Sequence, residues 1–402
     1  MTSFVVDCSL LGYINRRLGA ARGDLFPKST PDSGAMLRRF VSWIQPVFFV
    51  LAVVAIGWFL ASQWPTLRTY PWRLHWGWLL ATVFFSLASW GVEIAIWRHL
   101  LLALGGNLPY GAAARIWFLG AIVRYIPGSV WQPLSMTLHC RRRGVTPEVP
   151  LTSLILFQVV MLLATAPILV VYFLWIDTKS LAAQFVAYLP PVLLWSLLLP
   201  VLLFLLRPQW LVQVINWGLA RMNRPQLGMQ LSSVMLLTLT LVAIFDWLLW
   251  GALFASFTFA VAGEGLLTGG TTEATSALAL TPLLVASYPI ANLVGFLSII
   301  APGGFGAREG AFYLLLTPQI AGSVVAVIAL GARVWGVLSE LLMALISAPL
   351  ERASLARDVD DQRSPTTNMD TAIMDTAIMD NVRLPDRTMA ADVAAKVPRE
   401  TT

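Results

Sequence analysis

SSVMLLTLTLVAIFDWLLWGALFASFTFAV, residues 232–261, carries a single charged side chain, Asp246. A helix crosses the roughly 30 Å hydrocarbon layer of a bilayer in about 20 residues, so this stretch reads as a transmembrane span. Similar apolar runs occupy 46–64, 76–104, 149–175, 188–206 and 320–347. Their continuity excludes a transmembrane β-barrel, whose strands alternate polar and apolar residues over about ten positions. Of the whole 402-residue chain, 57% is hydrophobic and 12% charged, against roughly 25% charged in an average soluble protein. Only 22 charges fall between residues 46 and 349. A soluble fold of that stretch would lack a polar surface, so a soluble enzyme is excluded. The fold class is an all-α polytopic membrane protein.

The formal charge of +6 is carried almost wholly by arginine, with three lysines. In a membrane protein such an excess marks topology and affinity for anionic headgroups. With no soluble basic domain, nucleic-acid binding is not expected. Arg16, Arg17, Arg22, Arg38, Arg39, the run Arg141-Arg142-Arg143, and Arg207, Arg221 and Arg224 fall on one side if the N-terminus is cytoplasmic. Six spans then return Arg352 and Arg357 to the cytoplasm. The expected location is the cytoplasmic (inner) membrane, with both termini inside. Cys8 and Cys140 lie far apart, and His75, His99 and His139 share no ligand spacing. No disulfide, metal or cofactor is expected.

Two further apolar stretches are interrupted. One runs from Tyr110 through Arg124-Tyr125-Ile126-Pro127-Gly128 to Leu138. The other runs from Ala279 to Ile300, breaks at Ala301-Pro302-Gly303-Gly304-Phe305-Gly306 and resumes to Leu316. Proline removes an amide donor and glycine leaves backbone bare. Such backbone survives at membrane depth only when buried in protein or lining a wet cavity. Both stretches are read as re-entrant hairpins; the alternative is seven or eight full spans, 279–300 being long enough to cross. The order span, span, broken hairpin, span occurs twice, over 46–175 and 188–347. Each half carries an acid with tryptophan four residues on, Glu93 with Trp97 and Asp246 with Trp250. This is the pattern of an inverted repeat with interrupted helices at a transport site. The organisation expected is a basic, flexible cytoplasmic segment over 1–45, a transmembrane domain over 46–348, and a disordered cytoplasmic tail over 349–402 with a repeated Met-Asp-Thr-Ala-Ile.

Ionisable groups inside a membrane are expensive and so are candidates for function. Glu93, Asp246, Arg333 and Glu340 are of this kind. They either pair with neighbouring segments to hold the fold or line a polar cavity. Arg124 precedes the first break, and Arg308-Glu309 follow the second. Backbone amides at Gly303, Gly304 and Gly306, at the start of a helix, suit an anion. An adjacent arginine adds a bidentate phosphate partner. The other reading has Arg308 paired with Glu309 or Glu340 and the glycines serving a tight turn. Patterns of hydrolytic, nucleotide-binding or zinc-protease chemistry are absent, so no catalytic residues are assigned and no enzyme activity is expected.

Arg124 to Trp131, the following Arg143-Gly144-Val145, and Ala301 to Gly310 resemble the lysylphosphatidylglycerol synthase transmembrane family, also called flippase-like integral membrane proteins. The likeness covers roughly residues 40–350 in the order of segments. It implies an inner-membrane protein that translocates or handles a phospholipid or glycolipid, with a lipid-biosynthesis enzyme as a potential partner. The two broken hairpins themselves are expected to place Arg124, Pro127, Gly128, Pro302, Gly303, Gly304, Gly306, Arg308 and Glu309 about a headgroup site, with Arg124 and Arg308 binding phosphate. The resemblance does not imply the synthase reaction, which needs a soluble aminoacyl-transferring domain of a few hundred residues. Two other functions stay open. One is a membrane-embedded glycosyltransferase or accessory subunit acting on polyprenyl-linked sugars, for which Asp177, Glu264 and Glu273 are the candidate acids. The other is a non-catalytic assembly scaffold.

Overall fold

The computed structural model describes residues 74–123, 131–176, 179–221, 231–263, 277–298, 304–317 and 319–363, together with 58, 61, 64–69 and 72 before them. Apart from residues 58, 61 and 64, the expected span over 46–64 lies outside those residues, as does the first break with Arg124, Pro127 and Gly128. So do Pro302 and Gly303. The described residues are mostly helical, with no strand among them. The helices are α1 (Trp64–Thr69), α2 (Trp76–Ala103), α3 (Tyr110–Val123), α4 (Trp131–Arg141), α5 (Glu148–Val171), α6 (Leu181–Val186), α7 (Pro191–Ser196), α8 (Leu199–Leu206), α9 (Pro208–Arg221), α10 (Ser233–Ala262), α11 (Ala277–Leu297), α12 (Ala307–Leu316) and α13 (Gly322–Arg363).

Five segments are long and apolar enough to cross a membrane: Trp76–Ala103, Glu148–Ile176, Ser233–Ala262, Ala279–Leu297 and Gly322–Glu351. Four of them match expected spans to within a few residues at each end. The expected span over 188–206 is less regular. Pro190, Pro191, Pro200 and Pro208 punctuate it, and Pro191–Leu206 meets Pro208–Gly218 at a 93° bend. A proline cannot donate to the preceding turn, so the chain turns where Pro208 starts the next helix. At the other end, α13 continues to Arg363, into the segment expected to be a disordered tail. Leu, Glu, Arg and Ala in residues 350–357 are strong helix formers.

The outward faces of the helices are apolar, and the polar groups of the spans lie inside among the apolar core. On α10, Val234, Leu237, Leu241, Phe245 and Leu248 are exposed, whereas Thr240, Asp246, Ser256 and Thr258 are buried. On α2, Leu80, Phe84 and Leu87 are exposed and Thr82, Ser86 and Ser89 are buried. In water these would be unstable apolar patches; in lipid they are the solvent-facing surface. Lipid offers no hydrophobic drive between helices, so small residues and interhelical hydrogen bonds hold them together.

Helices α2 and α10 run antiparallel through the centre. The His75 amide donates to Ala260 O (2.9 Å), Thr82 Oγ1 meets Ser256 Oγ (3.1 Å), and Ser89 Oγ donates to Asp246 Oδ1 (2.7 Å). Each such side-chain bond in a membrane contributes on the order of 0.6 kcal/mol, so they fix register more than they add stability. Helix α10 joins two buried clusters, one around Trp97, Trp117 and Phe157 and one around Phe254, Phe312 and Val325. Trp247 and Trp250 pack against both.

The two interrupted stretches share one device. In the first, a Cβ on Gly120 would lie 2.6 Å from Met136 Cγ, so α3 and α4 fold back in close contact. In the second, a Cβ on Gly295 would lie 3.3 Å from Arg308 Cβ, and Tyr288 of α11 meets Phe312 of α12. Both glycines stand seven residues before the proline of their break. With 14 and 11 residues, α3 and α4 reach only about 21 and 16 Å, short of a bilayer. With 10 residues, α12 is shorter still, whereas α11 is long enough to span.

Candidate functional site

The second break builds the site. Gly304 and Gly306 adopt φ of 69° and 83°, a region that other residues enter at a steric cost. A Cβ on Gly304 would also sit 2.9 Å from Gly295 Cα, so glycine is required there twice over. Gly306 caps α12, and its amide donates to Glu309 Oε2 (2.7 Å). The other oxygen, Glu309 Oε1, accepts from Arg333 Nη1 of α13 (2.8 Å), in a pair only 9% and 14% exposed. Glu309 therefore closes the helix start and ties it to the last span. The return arm is anchored at its far end too, where Tyr172 Oη donates to Leu315 O (2.8 Å).

This geometry alters the sequence reading of the break. The Gly306 amide is already held by an internal carboxylate, so an external anion is left with the arginine. Glu309 pairs with Arg333 and not with its neighbour Arg308. The Arg308 guanidinium lies over the Tyr288 ring at 4.6 Å and near the Phe312 ring at 5.6 Å. Among the described residues it has no carboxylate partner. Arg333 is likewise placed over Phe305, at 4.6 Å.

Arg308, Arg333 and Glu340 converge on a cavity of about 160 Å³ between α2, α10, α11, α12 and α13. Ser86, Asn292 and Ser339 add polar groups, and Trp90, Trp250 and Trp335 form much of its aromatic wall. The walls are pre-positioned. Trp335 Nε1 donates to Ser86 Oγ (3.1 Å), Asn292 Nδ2 donates to Tyr288 O (2.8 Å), and Trp250 stacks on Tyr288 at an interplanar angle of 2°. Sequence reading missed Ser86, Tyr288, Asn292 and Ser339. The signal for Asn292 was there, an amide inside an apolar run.

Glu93 and Asp246 lie outside this lining. The antiparallel register sets Asp246 of α10 level with Ser89, one turn before Glu93 on α2. Glu93 Oε1 accepts from Trp250 Nε1 (3.1 Å), so the acid of the first half engages the tryptophan of the second. Asp246 is fully buried; Ser89 holds Oδ1, while Oδ2 has no hydrogen-bond partner. The structure thus brings Arg308, Arg333 and Glu340 together, with Glu309 behind them, and keeps the two mid-span acids as a separate pair.

The chain matches the family described as Lysylphosphatidylglycerol synthase TM region over residues 43–343 and belongs to it. It is a multi-pass membrane protein of a family named for phospholipid metabolism. A comparison with curated proteins returns no match.

The Glu309–Arg333 pair gives a direct test of the site's construction. Glu309→Gln keeps an acceptor for the Gly306 amide but removes the carboxylate from the Arg333 guanidinium. Removing one partner of a buried pair costs on the order of 3 kcal/mol, so the purified variant should unfold at a clearly lower temperature. Adding Arg333→Leu should restore much of the loss. An unchanged Tm for Glu309→Gln would show that the pair does not hold the hairpin.

Proposed function

We propose that this protein translocates a phospholipid or glycolipid across the cytoplasmic membrane, with the cavity receiving the phosphate of the headgroup. The observation that carries this reading is Arg308, a guanidinium poised over two aromatic rings and unmatched by a carboxylate among the described residues. Arginine offers phosphate a planar, two-pronged set of donors, and a partly desolvated cation over aromatic rings is held in place without being neutralised. The cavity volume of about 160 Å³ equals about five water volumes. It admits a headgroup phosphate and leaves acyl chains in the bilayer, along the exposed Leu and Phe of the outer helix faces.

The test is reconstitution of the full chain into liposomes with a panel of fluorescent lipids differing in headgroup. At least one lipid should cross faster than in empty liposomes. A panel that never outruns the empty vesicles would end this reading. A scaffold would keep its function after substitution of Arg308, and a glycosyltransferase would depend on Asp177, Glu264 or Glu273, which lie outside the described residues.

For orientation, we expect the N-terminus and the region after Leu350 to face the cytoplasm. A reporter fused after Leu350 should be active only as a cytoplasmic fusion. A periplasmic signal would mean that Ala279–Leu297 crosses fully and adds a seventh span.

A further inference from the structure

One buried carboxylate is not used by the headgroup cavity. Asp246 sits on α10 with no exposed surface. Ser89 satisfies Oδ1, and Oδ2 faces no donor. A bare carboxylate oxygen at that depth is costly, because a buried charge needs a partner. One helical turn beyond Ser89 on α2 stands a second acid, Glu93.

The surrounding elements supply nothing better among the described residues. Helix α5 carries no ionisable group after Glu148, and α8 carries none. Arg98 on α2 donates to Leu108 O (2.7 Å), and its neighbour His99 lies nearly three turns beyond Ser89. On α3, Tyr110 Oη donates to Gly91 O, and Arg115 is the only cation. Tyr288, the only ionisable group of α11, lies beneath Arg308. On α12 and α13, Glu309 and Arg333 hold each other, and Arg308 and Glu340 belong to the cavity. None of these groups has a hydrogen bond or ion pair with Asp246. A metal cation would want several oxygens. A proton needs one.

We infer that Asp246 is a proton-binding site, its Oδ2 buried and unpartnered, and that its loading and release are coupled to movement of the headgroup in the neighbouring cavity. Protonation converts the carboxylate to a carboxylic acid and removes the buried charge; release returns the same proton to water on one side of the membrane. Trp250 belongs to both sites. Its indole N–H holds Glu93, its ring stacks on Tyr288, and Tyr288 carries Arg308. A change in charge at the acid pair therefore bears on the wall that positions the phosphate-binding guanidinium. The coupling part of this inference rests on the lipid-translocation reading; the proton site does not.

Two measurements on the full chain test it. Infrared spectra of the purified protein should contain a protonated-carboxyl C=O band that shifts in D₂O and disappears in Asp246→Asn. In proteoliposomes with an imposed pH difference, the leaflet distribution of a transported lipid should shift by up to about tenfold per pH unit for one proton per lipid. Asp246→Asn should abolish that response. If Asp246→Asn fails to fold, Glu93→Gln replaces it and must change the pH at which the band titrates. A band untouched by both variants overturns the proton site. Lipid movement indifferent to the pH difference overturns the coupling. If no lipid moves although the band vanishes in Asp246→Asn, translocation and coupling both fail while the proton site stands.

Discussion

Gly251→Ala should be the most damaging single methyl addition in the described helices, lowering stability by about 3 kcal/mol or more. A Cβ at this position would run into the backbone carbonyl of Val285 on α11. Overpacking a well-packed core costs about 1–3 kcal/mol when side chains can give way. Here the obstacle is main chain, so the helices themselves must separate. Val285 is four residues before Pro289, which lies inside α11. Proline has no N–H to return to that carbonyl, so the oxygen loses its helical partner and turns to α10. There the hydrogen of Gly251 that stands in place of a Cβ points at it, a weak C–H···O contact of the kind that recurs between close helices. Gly251→Ala removes that contact and wedges α10 from α11, and with it Trp250 from Tyr288. Thermal unfolding in detergent should show a large drop in Tm, or the protein should fail to accumulate. A Tm within a degree or two of wild type would show that α10 and α11 are not in backbone contact.

Arg308→Ala should reduce lipid movement by one to two orders of magnitude with little change in Tm. A hydrogen bond to a charged group contributes about 1.5–3 kcal/mol, and each 1.4 kcal/mol is tenfold. Its guanidinium has no carboxylate to strand among the described residues, so the cost should fall on transport and not on the fold. Arg308→Lys should recover only part of the rate, because an ammonium keeps the charge but loses the paired donors. The measurement is the rate of the fastest lipid on the panel, with Glu309→Gln beside it as the variant whose Tm falls. Equal rates for Arg308→Ala and wild type would remove the phosphate from this site.

The spans from 76 to 103 and from 233 to 262 were legible because an apolar run of bilayer length has one common solution. The second break was legible as an interruption, since Gly304 and Gly306 fall between the end of α11 and the start of α12. Two things were not. The partner of Glu309 turned out to be Arg333, 24 residues away on another helix, whereas sequence proximity pointed to Arg308. Side-chain pairing across helices depends on packing and register, which no local pattern encodes. The same holds for Ser89 and Asp246, which meet because α2 and α10 cross at one particular level. Within 188–206 the apolar content was read as one span, whereas the chain there divides into α7 and α8 before α9 departs at 93°.

The antiparallel crossing of α2 and α10 has a consequence for direction. These helices occupy matching places in the two halves, each followed by a hairpin with its glycine seven residues ahead of proline. We propose, with the inverted repeat read from the sequence, that the halves run in opposite senses and show each leaflet nearly the same machinery. Such a device is indifferent to which way it turns, like a revolving door with no ratchet. Any net flow through it must be imposed by a difference between the two sides, in lipid or in ions, and reversing that difference should reverse the flow.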